Sequence, residues 1–449
     1  MKSKKCISIV IVLMTTATFM SFCHSEDWPQ WNGPRRDGTV QEKGLIGTIP
    51  SDGLKVVWRQ PVSFGYSGPI IADGKLLLFD YQKATGDIKN NAGKRDELTG
   101  KERLLCFDAG NGKPLWSYEY ERPYAVSYGA GPRATPCFHD GLVYALGAEG
   151  DLTCVDAKSG TKVWHVNFNK VYGAMTPLWG HSASSLVHGP NVICMVGGQG
   201  SLVVAFDLKT GEEQWRSLSS KETGYCPPTI LKHAGREQLM IWDPEQISSL
   251  NPNNGEVFWQ HPLKPDYGMS ILPPITDGDL LFAGGEGSKG VMLKLKPNAS
   301  GVEELWSGSP KLGVYLATSN GIFHQGHLYA ADIRSGALVC AKADTGERLW
   351  YSALPTTGST RGRGGAHGTA YLMRLSGYNY LLLSETGDVI SAELTPKGYR
   401  ETGRFHAIEP TSETMGRTVV WTFPAIANEK LYVRNDLEVV CYSLEDRKH

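Results

Sequence analysis

The sequence predicts an all-β fold, an eight-bladed β-propeller closed by pairing of its N- and C-terminal strands. Three observations carry this. Eight extended segments each end in a turn and then an aromatic anchor, most often as Asp-x-x-x-Gly-x-x-x-Trp. Neighbouring anchors lie 44 to 58 residues apart, the period of a propeller blade rather than of a helical or leucine-rich repeat. The two ends are complementary, because an anchor without inner strands lies near the start and inner strands without an anchor lie near the end.

The copies follow in order. LKVVWRQ (Leu54–Gln60) carries Trp58 and has no inner strands before it. FDAGNGKPLW (Phe107–Trp116), VDAKSGTKVW (Val155–Trp164) and FDLKTGEEQW (Phe206–Trp215) are the clearest repeats. LNPNNGEVFW (Leu250–Trp259) replaces Asp by Asn, and AKADTGERLW (Ala341–Trp350) has Lys342 at the Asp position. Trp306 follows a degenerate turn, and Phe405 stands for Trp in the seventh blade. The eighth unit, FPAIANEKLYVRNDLEVVCYSL (Phe423–Leu444), lacks an anchor, so the Trp58 strand is expected to complete it and remove both open sheet edges. Within each turn Asp bonds backbone amides two residues on, and Gly supplies the positive φ that closes the hairpin. The Trp then opens the outermost strand, where a large ring covers the gap between two sheets.

Ahead of the ring, Lys2, Lys4 and Lys5 precede an apolar run from Ile7 to Phe22, which reads as a secretory signal cut after Ser25. Cys23 raises the alternative of a lipoprotein. The expected organisation is a signal peptide over 1–25, a leader strap over 26–53 that packs Trp28 and Trp31 under the ring, and one propeller over 54–449. This places the mature chain in the periplasm or outside the cell, with no later segment able to span a bilayer.

Composition agrees with many tight turns and one anchor per blade: 52 glycines and 12 tryptophans in 449 residues. A net charge of −1 gives no basis for nucleic acid or an anionic membrane as partner. Cys106, Cys154, Cys340 and Cys441 occupy one equivalent strand position in four blades, well apart around a ring, and are expected to be small buried fillers rather than disulfides. No cysteine pair has metal-ligand spacing, and there is no P-loop, dinucleotide fingerprint or H-E-x-x-H.

The segments leading into each innermost strand are expected to collect at one mouth of the central channel. Six of them carry a Tyr close to a Gly: Tyr66, Tyr128, Tyr172, Tyr225, Tyr267 and Tyr315. Arg133, His181, Arg361, Arg363, His367 and Arg417 add donors. Aromatic faces with forked donors suit a carboxylate, a sulfated or uronic sugar, or an extended peptide. His181 and His367 come from blades three and seven, with no third metal ligand beside them. The polar stretch Lys83–Glu102 reads as an elongated, solvated hairpin connection in the first blade, with capping of one face as the alternative.

The repeats, with G-x-L-x-x-x-D before the turn, resemble the pyrroloquinoline-quinone-type propeller repeat. Its relatives include quinoprotein alcohol dehydrogenases and the propeller lipoprotein of the outer-membrane β-barrel assembly machinery. The leader DWPQWNGPRRDG (Asp27–Gly38) is similar to a segment that opens many exported bacterial propellers. The resemblance covers residues 27 to 444 and implies a fold more than a function. In the dehydrogenases it implies a quinone over calcium, held by an acidic residue, an Asn and a catalytic Asp, often with two adjacent cysteines. This chain has no adjacent cysteines, and Glu286, Asp332, Glu385 and Asp436 are scattered one per blade, where exposed turns are the default reading. The expectation is therefore a monomeric binding or scaffold module without a cofactor, taking a small molecule, glycan, peptide or envelope protein at the mouth. A quinone- and calcium-dependent alcohol or sugar dehydrogenase is the alternative. An envelope assembly scaffold would instead expose an apolar patch on one ring face.

Overall fold

A computed structural model describes residues 26–361 and 365–446. The signal-peptide and Cys23 readings, and Arg363, lie outside the described residues. Eight sheets of antiparallel strands follow one another along the chain, the first seven hydrogen-bonded in chain order from the inside outwards. Blade 1 runs from Ile70–Ala72 to Pro114–Glu121, blade 2 from Cys137–His139 to Lys162–Asn167, and blade 3 from Leu186–His188 to Glu213–Ser217. Blades 4 to 7 begin at Thr229–His233, Ile275–Asp277, Gly321–His324 and Ala370–Ser376. The three inner strands of blade 8 (Ala425–Ala427, Lys430–Arg434, Glu438–Ser443) are completed by Val56–Pro61, with Trp58 opposite Cys441. The ring is closed as the complementary ends predict.

The anchors join each blade to the next. Trp58 Nε1 donates to the carbonyl of Ala109 in blade 1 at 3.0 Å, Trp116 to Ala157 in blade 2 at 3.1 Å, and Trp164 to Leu208 in blade 3 at 2.9 Å. Trp306 and Trp350 reach Ala343 and Thr395 in the same way. Each accepting residue sits in the next blade's turn, and where the turn keeps its Asp that side chain holds its shape: Asp156 Oδ1 accepts from the amides of Lys158 and Ser159, and Asp207 Oδ1 from those of Lys209 and Thr210. The turn glycine has a second role beyond its positive φ. A Cβ on Gly112, Gly160 or Gly211 would lie 2.6, 2.7 or 2.7 Å from the ring of Trp58, Trp116 or Trp164, so the previous blade's indole lies flat on it. Phe405 meets Gly53 in the same arrangement, carrying the joint across to the closing strand.

The degenerate copies depart where their sequences do. Blade 5 lacks the Asp-x-x-x-Gly turn, and Trp259 turns back to Gln238 Oε1 of its own blade at 2.8 Å. In blade 4 the accepting position is Pro252, and Trp215 Nε1 is buried without a partner. All seven described cysteines are buried and unpaired. Cys106, Cys154, Cys340 and Cys441 each face an anchor across the outermost strand pair, and burial pushes their thiols up to about 12.

The leader crosses the central channel. Trp28 bridges Ile71 of blade 1, Pro29 accepts from the amide of Phe138 of blade 2, and the Arg36 guanidinium donates to the carbonyls of Ser184 and Ser185 before blade 3. On the far side Asn32 meets Asn320, and Val40 bonds Arg374 of blade 7. Trp31 packs edge-on against Phe423 at 5.4 Å and joins the apolar core of blades 5 and 6. One short segment can touch both halves of the ring only by lying across its axis.

Candidate functional site at the channel mouth

Above this cross-strap lies a cavity of about 1080 Å³. Trp31, Tyr371 and Phe423 form an aromatic part of its lining, and Tyr66, Tyr128, Trp179, Tyr225, Tyr267 and Trp421 line it from the lead-in segments. Tyr128, Tyr267, His367 and Met415 adopt left-handed φ of 53°, 58°, 61° and 46°, an unfavourable conformation for residues with side chains. Tyr267 is 79% exposed and Met175 75%, so the rim presents apolar groups to solvent.

Among the sequence-predicted residues, Tyr66, Tyr128, Arg133, Tyr225, Tyr267 and His367 line this cavity. Five others are engaged elsewhere. The Tyr172 hydroxyl bonds Glu213 at 2.9 Å on the flank of blade 3, and Tyr315 is buried, its hydroxyl donating to Ser309 and Leu312 carbonyls. His181 is buried edge-on against Phe168, and Arg361 is exposed outside the lining. Arg417 pairs with Glu385 at 2.8 Å and also donates to Ala366.

The expectation of free arginine donors is corrected by these contacts. Arg133 donates to the carbonyls of Ser127, Tyr128 and Gly131 and lies over the Tyr66 ring. Arg95, which sequence reasoning passed over, donates to Ala125, Thr176 and Pro177. His367 is held down to about 4, chiefly by burial and then by Arg417, so it is neutral near pH 7. Lys264 pairs with Glu245, leaving Lys221 at the exposed rim as the cation without a partner in the lining among the described residues.

The carboxylate expectation is corrected too. Asp332, Glu385 and Asp436 are buried caps rather than exposed turns: Asp332 holds Tyr315 N, Ser335 and Arg348, Glu385 holds Thr369 N and Arg417, and Asp436 holds Thr411 and Ser412. Glu286 lines the cavity, as does Glu222, and neither carboxylate has a hydrogen bond or ion pair among the described residues. Two donors in the lining are also unmatched, since the Tyr66 hydroxyl and the Trp421 indole N–H are buried without partners.

The blade 1 hairpin reaches over this mouth. Asn90 donates to the Glu413 carbonyl at 2.6 Å, the Ala92 carbonyl accepts from Trp179 Nε1 at 3.2 Å, and Arg95 grips the 176–177 backbone. Ala92, Gly93 and Arg95 belong to the cavity wall. The stretch thus reaches over one face of the ring while most of its side chains stay in solvent.

A quinone over calcium fits these residues poorly. Calcium needs several oxygen ligands including carboxylates. The described lining holds Glu222, Glu245 and Glu286 but no Asp and no Asn, so the acidic residue, Asn and Asp that the resemblance implies do not meet there. Pyrroloquinoline quinone is a tricarboxylate, and Arg95, Arg133 and Arg417 already donate within the protein.

A propeller with an aromatic, cross-strapped channel is the class this geometry defines, and comparison with known proteins narrows it. The family model described as outer membrane protein assembly factor BamB matches residues 40–246. The quinone alcohol dehydrogenase subunit of Komagataeibacter europaeus is 23% identical over 428 residues, covering 84% of this chain and 47% of that protein. The corresponding subunit of Acetobacter aceti is 23% identical over 56% of this chain and 30% of its own length. The chain thus spans less than half the length of these curated relatives. Among solved structures, BamB from Moraxella catarrhalis superposes with a TM-score of 0.56 at 14% identity, covering 88% of this chain and 99% of that one. Quinohemoprotein alcohol dehydrogenase from Comamonas testosteroni gives 0.60 at 12% identity, covering 94% and 81%. The chain is a β-propeller of the pyrroloquinoline-quinone-type repeat, related in sequence to quinone-dependent alcohol dehydrogenases and in fold to these and to BamB.

Proposed function

We propose that this chain is an exported binding module whose ligand occupies the channel mouth. The observation that carries the reading is the cavity of about 1080 Å³ itself, walled by Tyr128, Trp179, Tyr225 and Trp421 and rimmed by the exposed Tyr267 and Met175. The cavity stands at the top of the usual range for small-molecule sites, about 300–1,000 Å³, and has their mixture of aromatic walls and few polar groups.

The lining speaks against a quinoprotein dehydrogenase, because it sets no Asp or Asn beside its glutamates and its arginines already donate within the protein. Among the described residues no helix is long and apolar enough to cross a membrane. Thermal unfolding with excess pyrroloquinoline quinone plus calcium tests the choice, since a ligand of the native state must raise Tm. No rise is expected. A saturable rise, with dye-linked oxidation of an alcohol, would overturn the binding reading in favour of the enzyme.

A further inference from the structure

Tyr267 at 79% and Met175 at 75% are the two most exposed large apolar side chains among the described residues, and both stand on the lip of the same cavity. Met415, 49% exposed, stands there too. They reach the lip from the segments leading into blades 5, 3 and 8, so around a ring of eight they are separated by two, three and three blades. Apolar groups in water thus surround the whole opening. Below the lip the wall is aromatic, with Trp179 on Tyr225 at 5.3 Å and Tyr128 on Trp421 at 6.1 Å, above the ring of Trp31 packed on Phe423.

Covering apolar surface is favourable in proportion to its area, so the best ligand covers lip and wall together. A small molecule inside the cavity leaves the three lip side chains in water. A ligand that covers all three is wider than the opening and must also send an apolar projection inward, which a polypeptide segment does with alternate side chains. A bilayer is flat there, and would strip water from Lys221 and Glu222, which are exposed on the same lip. Four basic and three acidic side chains line the cavity, a near balance that matches a segment of little net charge. Met175, Met269 and Met415 all belong to the lining. Unbranched and polarizable, methionine reshapes itself to different apolar groups, and surfaces rich in it accept more than one sequence.

Resting on the binding reading above, we infer that the mouth takes apolar, unfolded segments of other polypeptides, of more than one sequence. An apolar side chain of the segment enters the aromatic well, and its neighbours lie on Tyr267, Met175 and Met415. The blade 1 hairpin borders this path, pinned by Asn90 to the Glu413 carbonyl near Met415 and by the Ala92 carbonyl to Trp179. A folded domain with no projecting apolar segment does not fill the well.

The test is fluorescence anisotropy of labelled α-lactalbumin titrated with the purified protein. One sample is folded and calcium-loaded, and the other is unfolded by reduction and carboxamidomethylation. The unfolded form is expected to bind saturably and the folded form not to bind. Tyr267→Ser with Met175→Ser should weaken binding about tenfold, as loss of interface anchors does, at unchanged Tm because both side chains are exposed. Undiminished affinity in that double variant would overturn the lip as the docking surface. Equal binding of the folded and unfolded forms would overturn the choice of an unfolded segment. Capture by phosphatidylethanolamine–phosphatidylglycerol vesicles, with the unfolded polypeptide ignored, would overturn a protein partner in favour of a lipid surface. A small apolar dye, anilinonaphthalene sulfonate, separates this inference from the reading beneath it. Dye bound saturably, lost in Trp179→Ala and unaccompanied by polypeptide binding would overturn the inference and leave a small-ligand site at the mouth. Binding of neither dye nor polypeptide would overturn both.

Discussion

The ring's circumference and its channel mouth use the same residues to opposite ends. At the circumference, Trp58, Trp116, Trp164, Trp306 and Trp350 each place the indole N–H on a carbonyl of the next blade. Positive φ there falls on glycines such as Gly112, Gly160 and Gly211, each lying against a neighbour's ring. At the mouth, Trp421 and Tyr66 have buried polar atoms without partners, and positive φ falls on Tyr128, Tyr267, His367 and Met415. The joints, Trp215 apart, satisfy their indoles internally and so are built for stability. The mouth accepts backbone strain on residues with side chains and presents exposed apolar groups, features that cluster where proteins bind other molecules.

The largest effect should separate the two regions directly. Trp164 is 8% exposed, bonds Leu208 and lies on Gly211, so Trp164→Ala should destabilise by about 3–5 kcal/mol. Trp179 is partly buried, packs on Tyr225 and bonds the Ala92 carbonyl, so Trp179→Ala should cost less, about 1–2 kcal/mol. Urea unfolding of both variants measures the difference. Equal losses would erase the distinction between joint and site.

The turn glycines sharpen it. Gly160 has φ of 74°, and a Cβ there would lie 2.7 Å from the Trp116 ring. Gly160→Ala therefore meets both a conformational and a packing penalty, together about 1–3 kcal/mol. Gly141 also has positive φ, 77°, but nothing lies within 4 Å of its Cβ position. Gly141→Ala should show the conformational part alone, about 1 kcal/mol. If the two alanine variants melt together, the indole does not rest on the glycine as described.

How far each region was legible in the sequence follows from the same contrast. The anchors repeat in one dimension, so Asp, Gly and Trp announce the joint at each copy, and the missing anchor of blade 8 points to Trp58. The mouth has no period. Tyr172 and Tyr315 share the Tyr-near-Gly pattern with Tyr225 and Tyr267, yet Glu213 and the carbonyls of Ser309 and Leu312 draw them into blade packing. Arg133 and Arg417 read as free donors because the carbonyls and the Glu385 carboxylate that engage them are brought near only by folding. A usable signal did exist. Of the 12 tryptophans, seven are anchors and two belong to the leader, leaving Trp179, Trp242 and Trp421 out of phase. Trp242 bonds Leu263 in the core, and the other two line the mouth.

The smallest effect tests whether the ring's indole bonds matter apart from the rings themselves. Trp164 and Trp215 are both 8% exposed and both lie on a turn glycine, Gly211 and Gly255. They differ at the nitrogen: Trp164 Nε1 donates to Leu208, whereas Trp215 Nε1, facing a turn with Pro252 at the accepting position, has no partner. Replacing each by Phe removes similar volume, so the packing losses should nearly cancel in the comparison. Trp164→Phe also deprives the Leu208 carbonyl of this donor, and should be the less stable variant by about 1 kcal/mol, the usual net worth of one hydrogen bond. Trp215→Phe loses no bond and relieves a buried N–H. Paired urea melts would resolve the gap as a shift in midpoint at constant m. A smaller loss at Trp164 would mean that the indole rings, and not their hydrogen bonds, hold neighbouring blades together.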